Sequence, residues 1–290
     1  MKLPIPVRVA VLLTATVGVS QVLQAETLFG LNTTGRLISF DSATPGSLLN
    51  SVDITGLGSD SLIGIDFRPN GGALYGVTTG DDIVTIDPIS GVATTVAALS
   101  TSLNGAGFGF DFNPVPDRLR VVSVAEQNLR INVDTGAAIV DGSLAYAVGD
   151  VNAGANPNIV GAAYANNFKG ALTTTLYGID STLGTLVTQA PPNAGTLNTI
   201  GALGIATTDD VGFDISINGV AYAALTDPTS KLSGLYTINL ATGSATWVGE
   251  IGGGSAVMGL SAVPEPSHYG MVFGGLLLGA VAFRRWRKVD

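Results

Sequence analysis

Five stretches of the chain open in the same way, with an apolar run built around a glycine. They are Leu62-Ile63-Gly64-Ile65-Asp66-Phe67, Gly107-Phe108-Gly109-Phe110-Asp111-Phe112, Ile159-Val160-Gly161-Ala162-Ala163-Tyr164, Val211-Gly212-Phe213-Asp214-Ile215 and Val257-Met258-Gly259-Leu260-Ser261. The central glycines lie 45, 52, 51 and 47 residues apart. Each of the first four openings is followed by a second apolar run: Leu74-Tyr75-Gly76-Val77, Leu119-Arg120-Val121-Val122, Leu176-Tyr177-Gly178-Ile179 and Ala221-Tyr222-Ala223-Ala224. A third run then enters a hairpin, as in Ile86-Asp87-Pro88-Ile89-Ser90-Gly91, Ile131-Asn132-Val133-Asp134-Thr135-Gly136 and Ile238-Asn239-Leu240-Ala241-Thr242-Gly243. Asx side chains and Gly supply the tight-turn chemistry there. A fourth run, such as Ala93–Val96 or Ala245–Val248, completes the unit.

Four short strands per unit at this period predict an all-β fold, a five-bladed β-propeller, because a single four-stranded sheet cannot bury both of its faces alone. The last opening, Val257 to Ala262, supplies only a first strand. The N-terminal part supplies an unmatched second strand at Thr27–Leu31, a third at Arg36–Asp41 and a fourth near Leu48–Ile54. The two ends are therefore expected to share one blade, which removes an exposed sheet edge.

Outside this body the pattern changes. Lys2 and Arg8 precede an apolar run from Val9 to Val19 and a cleavage-like Leu23-Gln24-Ala25, the layout of a signal peptide over residues 1–25. At the other end, residues 263–290 read Val-Pro-Glu-Pro-Ser, then the uncharged run Tyr269 to Phe283, then Arg284, Arg285, Trp286, Arg287 and Lys288. The uncharged run spans about 22 Å as a helix, short of a ~30 Å hydrocarbon core, and the cations behind it are placed in the cytoplasm by the positive-inside rule. The propeller domain is thus expected over 26–262, exported, with transient inner-membrane anchoring through 269–283.

Composition narrows the chemistry of the body. Residues 26–262 carry 20 acidic and 7 basic side chains, a formal charge of −13, which argues against nucleic acid as a partner. The chain has no cysteine and its one histidine, His268, lies in the tail, so Ser-His-Asp, Cys-His and His-zinc chemistry are not available to the body.

The tail resembles the PEP-CTERM sorting signal of Gram-negative bacteria, with Pro264-Glu265-Pro266 as the motif and Arg284, Arg285, Arg287 and Lys288 as its basic flank. That resemblance implies processing by an exosortase-type enzyme and delivery to the cell surface or an exopolysaccharide matrix. The body is similar to the exported domain-of-unknown-function family 4394, through Ile63–Pro69, Gly109–Pro114, Asp117–Ser123 and Asn156-Pro157 leading to Ala162–Tyr164. This second resemblance implies a fold and the company of such a tail, and no activity or catalytic residue.

Carboxylates are what remains for chemistry. Asp66, Asp111 and Asp214 hold the same position in three first strands, where Ala163 and Ser261 stand in the other two. On one reading each Asp satisfies backbone amides within its own blade. On the other the three line a central channel and converge on a sugar or a cation. Among other candidates, Asp150-Val151-Asn152-Ala153-Gly154 opens like a calcium loop, but Gly161 at its twelfth position excludes an EF-hand. Asp81-Asp82 and Asp209-Asp210 read as solvated turns, and Arg118, Arg120 and Arg130 are expected to pair with Asp117, Glu126 and Asp134. The expectation is a non-enzymatic surface or matrix propeller with no catalytic residues, metal or cofactor, a loop-bound Ca2+ being the one exception left open, that binds polysaccharide or a surface protein. The alternative is a carboxylate-dependent hydrolase or lyase acting on extracellular polysaccharide.

Overall fold

In the computed structural model, which describes residues 25–264, the recurring apolar runs form five antiparallel four-stranded units arranged as a ring. Blade 2 comprises Leu62–Phe67, Leu74–Thr78, Asp82–Ile86 and Ala93–Ala98 from the axis outward; blade 3 comprises Phe108–Asn113, Arg118–Ser123, Asn128–Ile131 and Ala138–Val140. Blade 4 runs Ile159–Tyr164, Leu176–Asp180, Thr185–Gln189 and Thr196–Ala202, and blade 5 runs Val211–Ile215, Ala221–Thr226, Ser233–Ile238 and Ala245–Glu250. Blade 1 is shared between the two ends of the body. Val257–Ala262 is its inner strand and pairs with Thr27–Asn32 in the register Leu28 to Ala262 and Gly30 to Leu260, followed by Arg36–Asp41 and Leu48–Asp53. Such closure leaves no inner edge open for pairing with another chain.

Burial grades across each blade. The inner strands of blades 2, 4 and 5 are buried throughout. The outer ones, such as Ala93–Ala98 and Ala245–Glu250, are exposed or half-buried at every position but Ala93. The core is divided into five clusters, each packed between neighbouring blades. One sets Ile63, Tyr75 and Val77 of blade 2 against Phe110, Phe112 and Leu119 of blade 3. This arrangement lets a chain without disulfides bury both faces of every sheet.

Blade 4 has an addition that the repeat does not signal. Ala145–Tyr146 pairs in parallel with Thr196–Ala202 as a fifth, outermost strand. The only helix among the described residues is the single 3-10 turn Pro192–Ala194, and no helix there is long and apolar enough to cross a membrane. The expected signal peptide and the sorting segment from Glu265 to Asp290, including Pro266, Arg284, Arg285, Arg287 and Lys288, lie outside the described residues.

Candidate functional site at the propeller axis

The repeated glycines explain how the inner strands meet. A Cβ placed on Gly64 would lie 2.7 Å from Phe110 Cβ, one on Gly109 2.8 Å from Ala162, one on Gly161 3.0 Å from Phe213, and one on Gly212 2.7 Å from Leu260. In each case the obstacle is the residue after the glycine of the next blade. Only at Gly259, facing Ile65 at 3.4 Å, is the approach looser. Glycine is therefore required by contact between blades rather than by turn geometry. The result is an axis closed by its own inner strands: the void among the glycines and their flanking apolar residues measures ≈ 10 Å³.

Two residues further along, the side chains form a second ring with the same handedness. Asp66 Oδ2 of blade 2 accepts a hydrogen bond from Phe112 N of blade 3 at 2.9 Å. Asp111 Oδ2 accepts one from Tyr164 N of blade 4, and Asp214 Oδ2 accepts one from Ala262 N of blade 1 at 2.6 Å. Ser261 Oγ of blade 1 accepts from Phe67 N of blade 2 at 3.0 Å and donates to Asp66 Oδ1 at 2.6 Å. Blade 4 contributes Ala163, which has no acceptor, and Ile215 N turns instead to Oδ1 of the neighbouring Asp214 at 2.6 Å. The arrangement falls between the two sequence readings. The amides of Phe112, Tyr164 and Ala262 belong to the following blade while Ile215 N lies in Asp214's own, and the three carboxylates converge but stand at no open channel, since all three are 1% exposed.

This packing brings three carboxyl groups together in the interior. One oxygen from each of Asp66, Asp111 and Asp214 lies within 4.8 Å of the others. Among the described residues no Lys or Arg forms an ion pair with them. Burial pushes all three above the ordinary carboxylate range. For Asp111 the rise is the clearest, with the charge of Asp66 next in weight; for Asp214 burial and then the charge of Asp66 bring it to about 8. For Asp66 the adjoining Asp111 carboxyl and then the hydrogen bonds from Ser261 Oγ and Phe112 N oppose the rise. Asn167, a buried residue that the sequence reading missed, sits in the loop after Ile159–Tyr164 with its side-chain amide on the Asp214 side, where it opposes the rise. Asn167 belongs to no repeat, so no periodic signal marks it.

The remaining candidates are dispersed and serve local structure. Arg68, also missed, forks onto Asp117 (2.9 and 2.7 Å) and Asp134 (2.6 and 3.0 Å), joining blade 2 to blade 3. Arg68 holds both carboxyls below their usual range. Arg120 and Arg130 both pair with Asp141 instead of Asp117 or Asp134, Arg120 at 2.7 Å and Arg130 at 2.6 Å. Arg118 donates to the carbonyls of Pro116 and Asp117, and Glu126 occupies a turn at φ +56°. Asp150 accepts from Asn152 N, Thr199 N and Thr199 Oγ1. Asp81 accepts from Leu103 N, and Asp209 accepts from Ser181 Oγ and Asn158 Nδ2.

On the face where the inner strands begin, two clefts share Ser61, Leu62 and Met258 as a common wall. One, of ≈ 360 Å³, runs past Asn32, Thr33 and Asp60, and the other, of ≈ 300 Å³, past Gly105, Phe108, Asp209 and Asp210.

A five-bladed ring stapled at its axis by side chains from four of its five inner strands is the class of protein these features define. Residues 36–261 match the family model described as domain of unknown function DUF4394, and the chain belongs to that family. No curated protein matches it. Among solved structures it is similar to the nidogen/laminin complex, at TM-score 0.48 and 12% identity over 82% of this chain and 98% of that one. It is also similar to a protein of unknown function from Bacteroides thetaiotaomicron, at TM-score 0.44 and 14% identity over 73% of this chain and 55% of that one. A protein from Lactobacillus plantarum is similar at TM-score 0.40 and 18% identity, over 82% and 71% of the two chains. None of these likenesses carries an argument about what this chain does.

Proposed function

We propose that this is an exported propeller of the cell surface or exopolysaccharide matrix, which binds a polysaccharide or another surface protein without turning it over. Delivery would depend on the PEP-CTERM motif Pro264, Glu265 and Pro266, read by an exosortase-type enzyme. The observation that carries the non-enzymatic reading is the burial of Asp66, Asp111 and Asp214, each engaged with a backbone N–H of a neighbouring blade. Glycoside hydrolysis by a carboxylate pair needs both groups to face a sugar ring, with one of them delivering a proton to the leaving oxygen. Side chains sealed behind the inner strands offer no such access. The two adjoining clefts that share Ser61, Leu62 and Met258 are the binding face in this reading, because they are the concave surface beside the axis.

Two measurements on material from the producing cells test it. Mass spectrometry of the surface fraction should find a chain that starts near Glu26 and ends between Pro264 and Ser267. Co-sedimentation with the cells' own exopolysaccharide should retain the protein while the polymer keeps its length, and Ser61→Arg in the shared wall should weaken retention. Shortening of the polymer by the purified protein, or a surface chain that still ends at Asp290, would overturn the proposal.

A further inference from the structure

We propose that the propeller axis is a cation site, taking one Ca2+ among Asp66, Asp111 and Asp214 with Asn167 supplying a neutral oxygen. Ca2+ binds oxygen at 2.3–2.6 Å, so two oxygens on one ion are separated by at most about 5 Å. The three carboxylates meet this condition, with one oxygen of each within 4.8 Å of the others. Three buried acidic groups alone do not make a site, since they can share protons. A second observation points to a ligand. Asp111 Oδ1 and Asn167 Oδ1 are both buried and have no hydrogen-bond partner among the described residues. Asn167 is 8% exposed and its side-chain amide lies beside Asp214, so its unpartnered oxygen sits on the group that faces the carboxylates and comes to the ion by rotation of the amide. Both atoms are acceptors, and a buried acceptor without a donor is costly unless something positive lies beside it.

The donor chemistry selects the ion. Every ligand is a hard oxygen, and the body has neither histidine nor cysteine to favour zinc or copper. Mg2+ prefers to keep several waters in an octahedral shell, which suits an open loop better than a closed axis. Ser261 Oγ, which already bridges Phe67 N and Asp66, keeps one lone pair free. The backbone N–H bonds to the Asp oxygens do not compete with the ion, because each carboxylate oxygen has a second lone pair. A bound cation would replace the missing basic residue and let the triad ionise, fastening blades 2, 3 and 5 to one centre. The inference does not depend on whether the protein binds a polysaccharide.

The test uses the purified full chain. Elemental analysis should find about one Ca2+ per chain; EDTA should lower the melting temperature, and CaCl2 should restore it where MgCl2 at equal concentration does not. Asp111→Asn should weaken Ca2+ binding. Because that variant disturbs the inter-blade ring as well, Asn167→Ala is the cleaner probe: Asn167 takes no part in the ring of backbone N–H bonds between inner strands, so the variant should fold as the wild type does and should lose Ca2+ affinity by about tenfold or more. A chain without stoichiometric Ca2+ whose melting temperature ignores both EDTA and CaCl2 would overturn the proposal in favour of protons shared among the three carboxyls. An equal response to MgCl2, or unchanged affinity in Asn167→Ala, would overturn it as well.

Discussion

Asp111 and Asp141 lie in or beside the same blade and are both almost inaccessible, yet their surroundings drive them in opposite directions. The Asp141 side chain is 5% exposed, and although its burial works the other way, hydrogen bonds from Arg130 and Arg120 hold it below the ordinary carboxylate range. Asp111 is 1% exposed and meets two other carboxyls with no basic partner, so burial and the charge of Asp66 raise it. Burial alone does not set the charge state; the partner does. The partner follows from topology. A residue carried by the repeat is copied around the ring, so at the axis like meets like. A residue outside the repeat, such as Arg68 or Asp141, meets an unlike neighbour once, between two particular blades.

The strongest way to break this contrast is to open the ring. Deleting residues 257–262 removes the inner strand of blade 1, the Ser261 acceptor and the Ala262 donor in one step. The expected outcome is aggregation or loss of cooperative unfolding, observed by light scattering and thermal melting. Losing the Arg68 fork by Arg68→Ala should leave a folded monomer. A truncated chain that stays monomeric with unchanged melting would show that the axis contributes nothing special.

A smaller effect tests how tightly the inner strands are matched. Gly109→Ala sets a methyl 2.8 Å from Ala162 and should cost about 1–3 kcal/mol through overpacking. Gly259→Ala meets its nearest neighbour at 3.4 Å and should cost clearly less. Equal losses in denaturant unfolding would indicate that the graded contact between blades has no energetic meaning.

The gentlest probe is pH, read in chelator-treated protein. The axial carboxyls have folded pKa values above the ordinary 3.8, so the folded state binds their protons more tightly; that stability is complete below pH 3.8 and is lost as pH rises, through about 8 for Asp214. Asp117, Asp134 and Asp141 have lowered values, so their contribution is present above 3.8 and is lost as pH falls through the folded values. Melting temperature should therefore decline on both sides of a maximum near pH 4. Asp214→Asn should flatten the alkaline side, and Asp141→Asn the acid side. If Asp214→Asn leaves the alkaline slope intact, the axial carboxyls are ionised in the fold and the contrast fails.

The fold was largely readable from the chain because a repeat states its own period. Blade number, strand order and the blade shared by Thr27–Asn32 and Val257–Ala262 all follow from five glycines at near-constant spacing. The common position of Asp66, Asp111 and Asp214 was equally visible. Their partners were not, since a repeat describes what happens within a unit and says nothing about which neighbouring unit receives a hydrogen bond. The arginines failed for a related reason. Arg120 and Arg130 face each other across paired strands and share Asp141, which follows the adjoining strand Ala138–Val140, while their sequence neighbours Asp117 and Asp134 turn toward Arg68 in blade 2. Ala145–Tyr146 escaped because two residues paired in parallel leave no pattern.

The central claim is that the repeated carboxylates hold the ring together and do not turn over substrate. It is tested most directly by comparing wild type with Asp66→Ala in chelator-treated protein, measuring melting and exopolysaccharide cleavage side by side. Removing Asp66 leaves Phe112 N and the Ser261 hydroxyl without their acceptor, both buried. The account predicts a loss of about 1–3 kcal/mol in stability, with no cleavage by either protein. Cleavage by the wild type that disappears in Asp66→Ala while the melting temperature stays unchanged would contradict it.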